Sequence, residues 1–184
     1  MPKIVCVSGP CGAGKSTFSR LLSRRMAEEG RKTVYLIHGD DFHAGFVDPE
    51  ERELFSNRGE AYDRASWEEI LRFNWECILF AAGQALKRQL DVVIDYVIED
   101  ELPRVKALAE AKGAGLYYIV LTAEPSELEA RIIRRGDTAL LQRALFLKRK
   151  LDALPENKGR LLDNTHSTPE ESVRSLELER YLVR

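Results

Sequence analysis

The stretch Gly9-Pro10-Cys11-Gly12-Ala13-Gly14-Lys15-Ser16-Thr17 combines glycines, one lysine and two hydroxyls directly after an apolar run. Its spacing fits G-x-x-x-x-G-K-[ST] without a mismatch. Glycines let the backbone curl until successive N–H groups point into one concavity, which suits anionic oxygens. The N-terminus of a following helix adds partial positive charge. Lys15 carries a mobile cation to β- and γ-phosphates, and the Ser16 hydroxyl is a ligand for Mg²⁺. Residues 9–17 are therefore the candidate cradle for a nucleoside triphosphate.

Several further groups could act on a phosphate held there. In "IHGDDFH", Asp40 and Asp41 follow a strand-like run, and a carboxylate at that place can take a proton from a hydroxyl aimed at a γ-phosphate. Asp40 and Asp41 both remain candidates for the base. His43 is a candidate substrate contact, with a plain surface position as the alternative. Asp95 closes "VVID", the acid-after-strand pattern that holds Mg²⁺ or its water. Arg131 and Arg135 stand four apart before Gly136, with Arg134 beside them. Such planar cations suit stabilisation of transferred charge and the exclusion of water by a closing element. Asn164 and Thr165, after the last strand-like run, are candidates for contact with a nucleotide base. Arg52, Arg58 and Arg64 could clamp an anionic acceptor, although surface arginines need no such role.

These groups need elements to carry them. Apolar runs at 3–8, 33–38, 91–98, 116–123 and 159–164 predict five strands. Helices are expected at 15–29, ending at Gly30, and at 101–112, ending at Gly113. Others are expected from Pro125 to Gly136 and over 138–153. Ser66 and Glu69 have capping-box spacing before a long helix to about Arg88, and Thr168 and Glu171 start a last helix in the same way. The stripe Trp67, Ile70, Leu71, Asn74, Ile78, Ala82, Ala85 follows the helical period and reads as core. A weaker helix start stands at Asp48-Pro49-Glu50-Glu51. Alternating strands and helices predict an α/β fold, a parallel sheet covered on both faces. Its ligands are expected at the carboxyl ends of the strands.

The composition agrees. Of 184 residues, 44% are apolar and 32% charged, so the chain reads as one globular domain over 1–184. A formal net charge of −2 disfavours a dedicated nucleic-acid binder. Cys6, Cys11 and Cys77 cannot all pair, which points to a reducing compartment. No leader-like segment or apolar run near ~18 residues is seen, so a cytoplasmic protein without a membrane partner is expected. Asn157-Lys158-Gly159-Arg160 has arginine where a guanine-reading loop needs an acid, which excludes that class of switch.

With "GPCGAGKST", "GDDFH", "VVIDYV" and "EARIIRRGD" in this order, the chain resembles the small phosphate-loop kinases of the nucleoside-monophosphate-kinase-like superfamily. "GDDFH" is similar to segments of gluconate kinase, adenylylsulfate kinase, nicotinamide riboside kinase and uridine kinase. "VVIDYV" and "DNTHSTPEE" resemble chloramphenicol phosphotransferase. The resemblance implies a three-layer αβα fold with strand order 2-3-1-4-5, a substrate region over 43–90 and a lid over 131–153. It implies Asp40 as the base, Arg131 and Arg135 as lid arginines, and Lys15 and Ser16 in the phosphate and Mg²⁺ roles. The expected activity is transfer of the γ-phosphate of ATP to a hydroxyl of a small molecule, by a monomer or homodimer. A nucleotide or polynucleotide 5′ kinase is an alternative, favoured by the basic run 131–150. An ATP-binding regulatory module without phosphoryl transfer is another.

Overall fold

The computed structural model describes residues 1–46 and 66–184. In chain order the elements are β1 (Lys3–Ser8), α1 (Lys15–Gly30), β2 (Val34–His38), the one-turn α2 (Asp40–His43) and α3 (Trp67–Lys87). They continue with β3 (Asp91–Asp95), α4 (Leu102–Lys112), β4 (Gly115–Thr122), α5 (Pro125–Arg135), α6 (Leu141–Ala153), β5 (Leu161–Asp163) and α7 (Pro169–Arg174). The strands form one parallel sheet in the order β2-β3-β1-β4-β5. This is the expected three-layer arrangement.

Side chains alternate across the sheet as strand geometry requires. Ile4, Cys6, Val92, Ile94, Tyr118 and Val120 pack on one face with Ile78 and Ala82 of α3. Val5, Val7, Val93, Ile119 and Leu121 pack on the other with Phe18, Leu22 and Met26 of α1. Burial on both faces explains why the central strands read as continuous apolar runs.

The helix ends follow local chemistry. Ser66 and Glu69 form the expected capping box, as do Thr168 and Glu171. Gly113 and Gly136 close α4 and α5 in the left-handed conformation. At the end of α1, Arg31 rather than Gly30 takes that conformation. β3 stops at Asp95 instead of running to residue 98. Asp40 and Asp41 lie within α2, not in an open loop. Ile70, Asn74, Ile78, Ala82 and Ala85 are buried as expected, whereas Trp67 at the first turn of α3 is 38% exposed. The helix start expected at 48–51 and the arginines 52, 58 and 64 lie outside the described residues.

Candidate active site

The loop 9–14 leaves β1 and turns directly into α1. Gly9, Gly12 and Gly14 all have positive φ, at 142°, 81° and 85°. A side chain at Gly9 would also place Cβ 2.5 Å from the Leu121 carbonyl oxygen, so glycine is required there. Lys15 Nζ donates to the Pro10 carbonyl oxygen at 3.2 Å, folding the cation over its own loop. Ser16 and Thr17 are exposed at the first turn of α1.

Strand register brings the acids to this loop. Val7 of β1 pairs with Asp95 of β3, and His38 of β2 pairs with Asp95 from the other side. Asp95 is buried, and the His38 Nδ1 lies 2.7 Å from its Oδ2. The Gly39 N–H donates to the Asp95 carbonyl oxygen at 2.9 Å, which starts α2 at the same sheet edge. A Cβ on Gly39 would stand 2.4 Å from the Tyr96 ring, so the close approach of α2 to β3 depends on glycine. Asp40 and Asp41 are exposed on α2.

His43 is buried rather than on the surface. Its Nδ1 lies 2.8 Å from Asn74 Nδ2, and its Nε2 lies 3.9 Å from Asp40 Oδ1. Asn74 Nδ2 also donates to the Tyr96 hydroxyl at 3.2 Å. Burial lowers the His43 pKa below its ordinary value, against the opposing pull of Asp40 and Asp41. Burial raises that of Tyr96 to about 12, so the phenol stays protonated.

The arginines of α5 divide. Arg131 is tied down, with Nε on Glu127 at 2.8 Å, Nη1 on Asn164 Oδ1 at 2.9 Å and Nη2 on the Asn164 carbonyl oxygen at 2.9 Å. Asn164 in turn donates Nδ2 to the Ala13 carbonyl oxygen of the phosphate loop at 2.8 Å. The Thr165 hydroxyl donates to Asp163 at 2.6 Å and accepts from the Glu124 N–H at 2.9 Å. Both side chains proposed for base contact thus tie loops together. Arg135 pairs with Asp137 at the surface, and Arg134 is exposed.

The rest of the basic run is mostly neutralised inside the chain. Arg143 and Lys150 both pair with Glu99 at 2.6 Å, and Lys148 pairs with Asp152 at 2.6 Å. Sequence reasoning assigned nothing to His38, Tyr96 and Glu99. His38 carried one signal, since it and Asp95 each end an apolar run and such ends meet in a parallel sheet.

The residues present fit Mg²⁺. Among the described residues the Ser16 hydroxyl has no side-chain partner, and one Asp95 oxygen beside the loop has no hydrogen bond. Mg²⁺ is commonly held by one or two such groups, with phosphates and waters completing its shell. Among the described residues no cluster of three His, Cys, Asp or Glu side chains forms a separate metal site. Among them, too, no helix is long and apolar enough to cross a membrane.

No curated protein matches the sequence. Solved structures share the fold. A Mycobacterium tuberculosis APS kinase, in complex with AMPPNP and APS, is 16% identical over 94% of both chains, with a TM-score of 0.63. A gluconokinase from Sinorhizobium meliloti is 24% identical over 98% of this chain and 91% of its own, at 0.56. A tunicamycin resistance protein from Deinococcus radiodurans is 14% identical over 95% and 92%, at 0.58. The family described as AAA domain matches residues 5–170, which takes in the phosphate loop, most of β1, the other four strands and the start of α7. With that span covered and the loop intact in sequence and conformation, the chain belongs to this family of phosphate-loop domains.

Proposed function

We propose that the protein is an ATP-dependent phosphotransferase that moves the γ-phosphate to a hydroxyl of a small molecule. The observation that carries this reading is the placement of Asp40. Its exposed carboxylate stands one residue past Gly39, at the sheet edge that holds the phosphate loop, and no lysine or arginine pairs with it among the described residues. A nucleotide sensor needs no such acid. The kinases that share the fold agree with the reading.

The triphosphate lies along residues 9–17, where loop N–H groups and the start of α1 take its oxygens. Lys15 leaves the Pro10 carbonyl for the β- and γ-phosphates. Ser16, with Asp95 or its water, would hold Mg²⁺, which would supply neutralisation of the phosphate charge. Asp40 takes the proton of the acceptor hydroxyl as its oxygen bonds to the γ-phosphorus and the bond to the β-phosphate oxygen breaks. The products are ADP and a phosphate ester. Arg134 and Arg135, in the last turn of α5, spread the transferred charge. Breaking the surface pair of Arg135 with Asp137 costs little. Arg131 holds Asn164, and through it the loop.

A polynucleotide acceptor has less support from the basic run, because Arg143 and Lys150 pair with Glu99 and Lys148 pairs with Asp152 within the chain. The test is acceptor-dependent ADP release across a panel of sugar acids, nucleosides and hydroxylated antibiotics. Asp40→Asn is expected to keep ATP binding and to lower turnover by at least ~10²-fold. Full turnover in that variant, or no acceptor-dependent release at all, would defeat the reading.

A further inference from the structure

We propose that the free edge of β2, with the basic face of α1 beside it, is a docking groove for an acidic, extended peptide segment of a partner protein, which adds to the sheet as a sixth strand.

The groove is basic and unneutralised. Arg20, Arg24 and Arg31 recur at helical spacing along one side of α1, the last as its C-cap, and Lys32 follows. They line a groove of about 610 Å³ between α1 and β2, and no acidic residue lines it. All four are exposed. Among the described residues Arg20, Arg24 and Arg31 have no carboxylate partner, whereas Lys32 pairs with the buried Asp91 at 2.8 Å. Arg25, on another flank of α1, shows the contrast. It binds Glu29 at 2.7 Å and the carbonyl oxygens of Val173 and Leu176. In a chain of net charge −2, such a local excess of cations attracts anions.

The strand beside these cations has an open edge. β2 is the outermost strand and pairs with β3 alone. The Gly39 N–H points towards β3, since it donates to the Asp95 carbonyl oxygen, and backbone direction alternates along a strand. The N–H and C=O groups of Val34, Leu36 and His38 therefore face away from β3, and among the described residues nothing pairs with them. Such an edge is a template for another extended chain. Val34 and Leu36 lie on the α1 side of the sheet, and Tyr35, on the other side, is 44% exposed.

Together the two features select the occupant. From Arg20 to Arg31 the helix rises about 16 Å, the span of five extended residues. β2 is five residues long. Every second side chain of an added strand would face α1, at intervals of about 7 Å, so acids at alternate positions meet the arginines in turn. Main-chain hydrogen bonds to β2 supply affinity, and the cations supply the choice of sequence. A second copy of the chain is disfavoured, because pairing β2 with β2 brings two basic faces together. A nucleic-acid backbone can use the cations but not the row of strand N–H groups. None of the groove residues belongs to the loop 9–17, so an occupant leaves the triphosphate cradle open.

The experiment titrates the full chain into a fluorescently labelled peptide that alternates glutamate and threonine, and reads anisotropy at low and high salt. Binding is expected, and it should weaken as salt rises. Arg24→Glu should lower affinity about tenfold, and Arg24→Gln by less. Arg149→Glu, exposed on α6 and equal in its change of net charge, should bind like the parent. Alternate N–H groups of the peptide point to opposite edges. N-methylation of its glutamates and N-methylation of its threonines therefore block different edges, and one set should abolish binding while the other preserves it. Absence of peptide binding, equal losses in Arg24→Glu and Arg149→Glu, or equal effects of the two N-methylated sets overturns the proposal. So does tighter binding of inorganic tripolyphosphate or of a thymidine oligonucleotide of the same charge.

Discussion

Asn164 joins Arg131 to the phosphate loop: its Oδ1 accepts from Arg131 Nη1 at 2.9 Å while its Nδ2 donates to the Ala13 carbonyl oxygen at 2.8 Å. One buried amide thereby ties α5, the end of β5 and the triphosphate cradle together. Asn164→Ala leaves the guanidinium and the carbonyl without this partner, at about 1–3 kcal/mol for each orphaned group. The melting temperature should fall, and the dissociation constant for ATP should rise about tenfold, or ~1.4 kcal/mol. Calorimetric titration with ATP checks this. An unchanged affinity would show that the loop holds its shape without the bridge.

Gly39→Ala tests the contact between α2 and β3. The added Cβ would meet the Tyr96 ring at 2.4 Å, so α2 or Tyr96 must shift, at about 1–3 kcal/mol. Gly45→Ala is the control, since its nearest neighbour among the described residues, the Phe42 carbonyl oxygen, is an ordinary 3.4 Å away. Denaturant midpoints should drop clearly for the first variant and barely move for the second.

The cysteines should separate by reactivity. Cys6 is fully buried, which raises its thiol to about 12, whereas Cys11 and Cys77 are half-buried. In mass-resolved alkylation of the native protein, Cys11 and Cys77 react and Cys6 waits for unfolding. Mg·ATP should slow Cys11 alone, because only that thiol lies on the cradle. Equal protection of Cys77 would contradict the assigned site.

His43 gives stability an acid-side slope. Its folded pKa lies below the ordinary 6.5, so the unfolded chain binds more protons in the interval between the two values. The contribution of neutral burial is fully present above about pH 6.5 and is lost as pH falls towards the folded pKa. His43→Gln cannot charge, so denaturant midpoints measured over roughly pH 5–8 should show a shallower acid-side decline than the parent. Parallel curves would refute the neutral buried imidazole.

Much of this architecture is visible in local sequence. The phosphate loop, both capping boxes and the glycine stops at 113 and 136 are short-range signals, and each forms as expected. What stayed hidden depends on distant partners. His43 reads as a surface residue until Asn74, 31 positions on, supplies its buried partner. Arg131 reads as a lid arginine until Asn164, 33 positions on, accepts its guanidinium. The basic run over 131–150 reads as a cationic surface until Glu99, brought in from the end of β3, takes two of its charges. β3 ends three residues earlier than its apolar run, and past it the Ile98 N–H bonds to the Ser8 side-chain hydroxyl rather than to a strand carbonyl.

The register His38–Asp95–Val7 also acts as a ruler. β2 and β1 are separated by one strand, so the supports of acceptor and donor stand two strand spacings apart, about 9–10 Å. Hydrogen bonds within the sheet fix that span. Under the proposed transfer, a phosphoryl group passing from the loop towards Asp40 would cross the end of β3, where Asp95 stands. On that reading the acid proposed for Mg²⁺ would lie under the path rather than beside it, at a span that the sheet itself cannot widen.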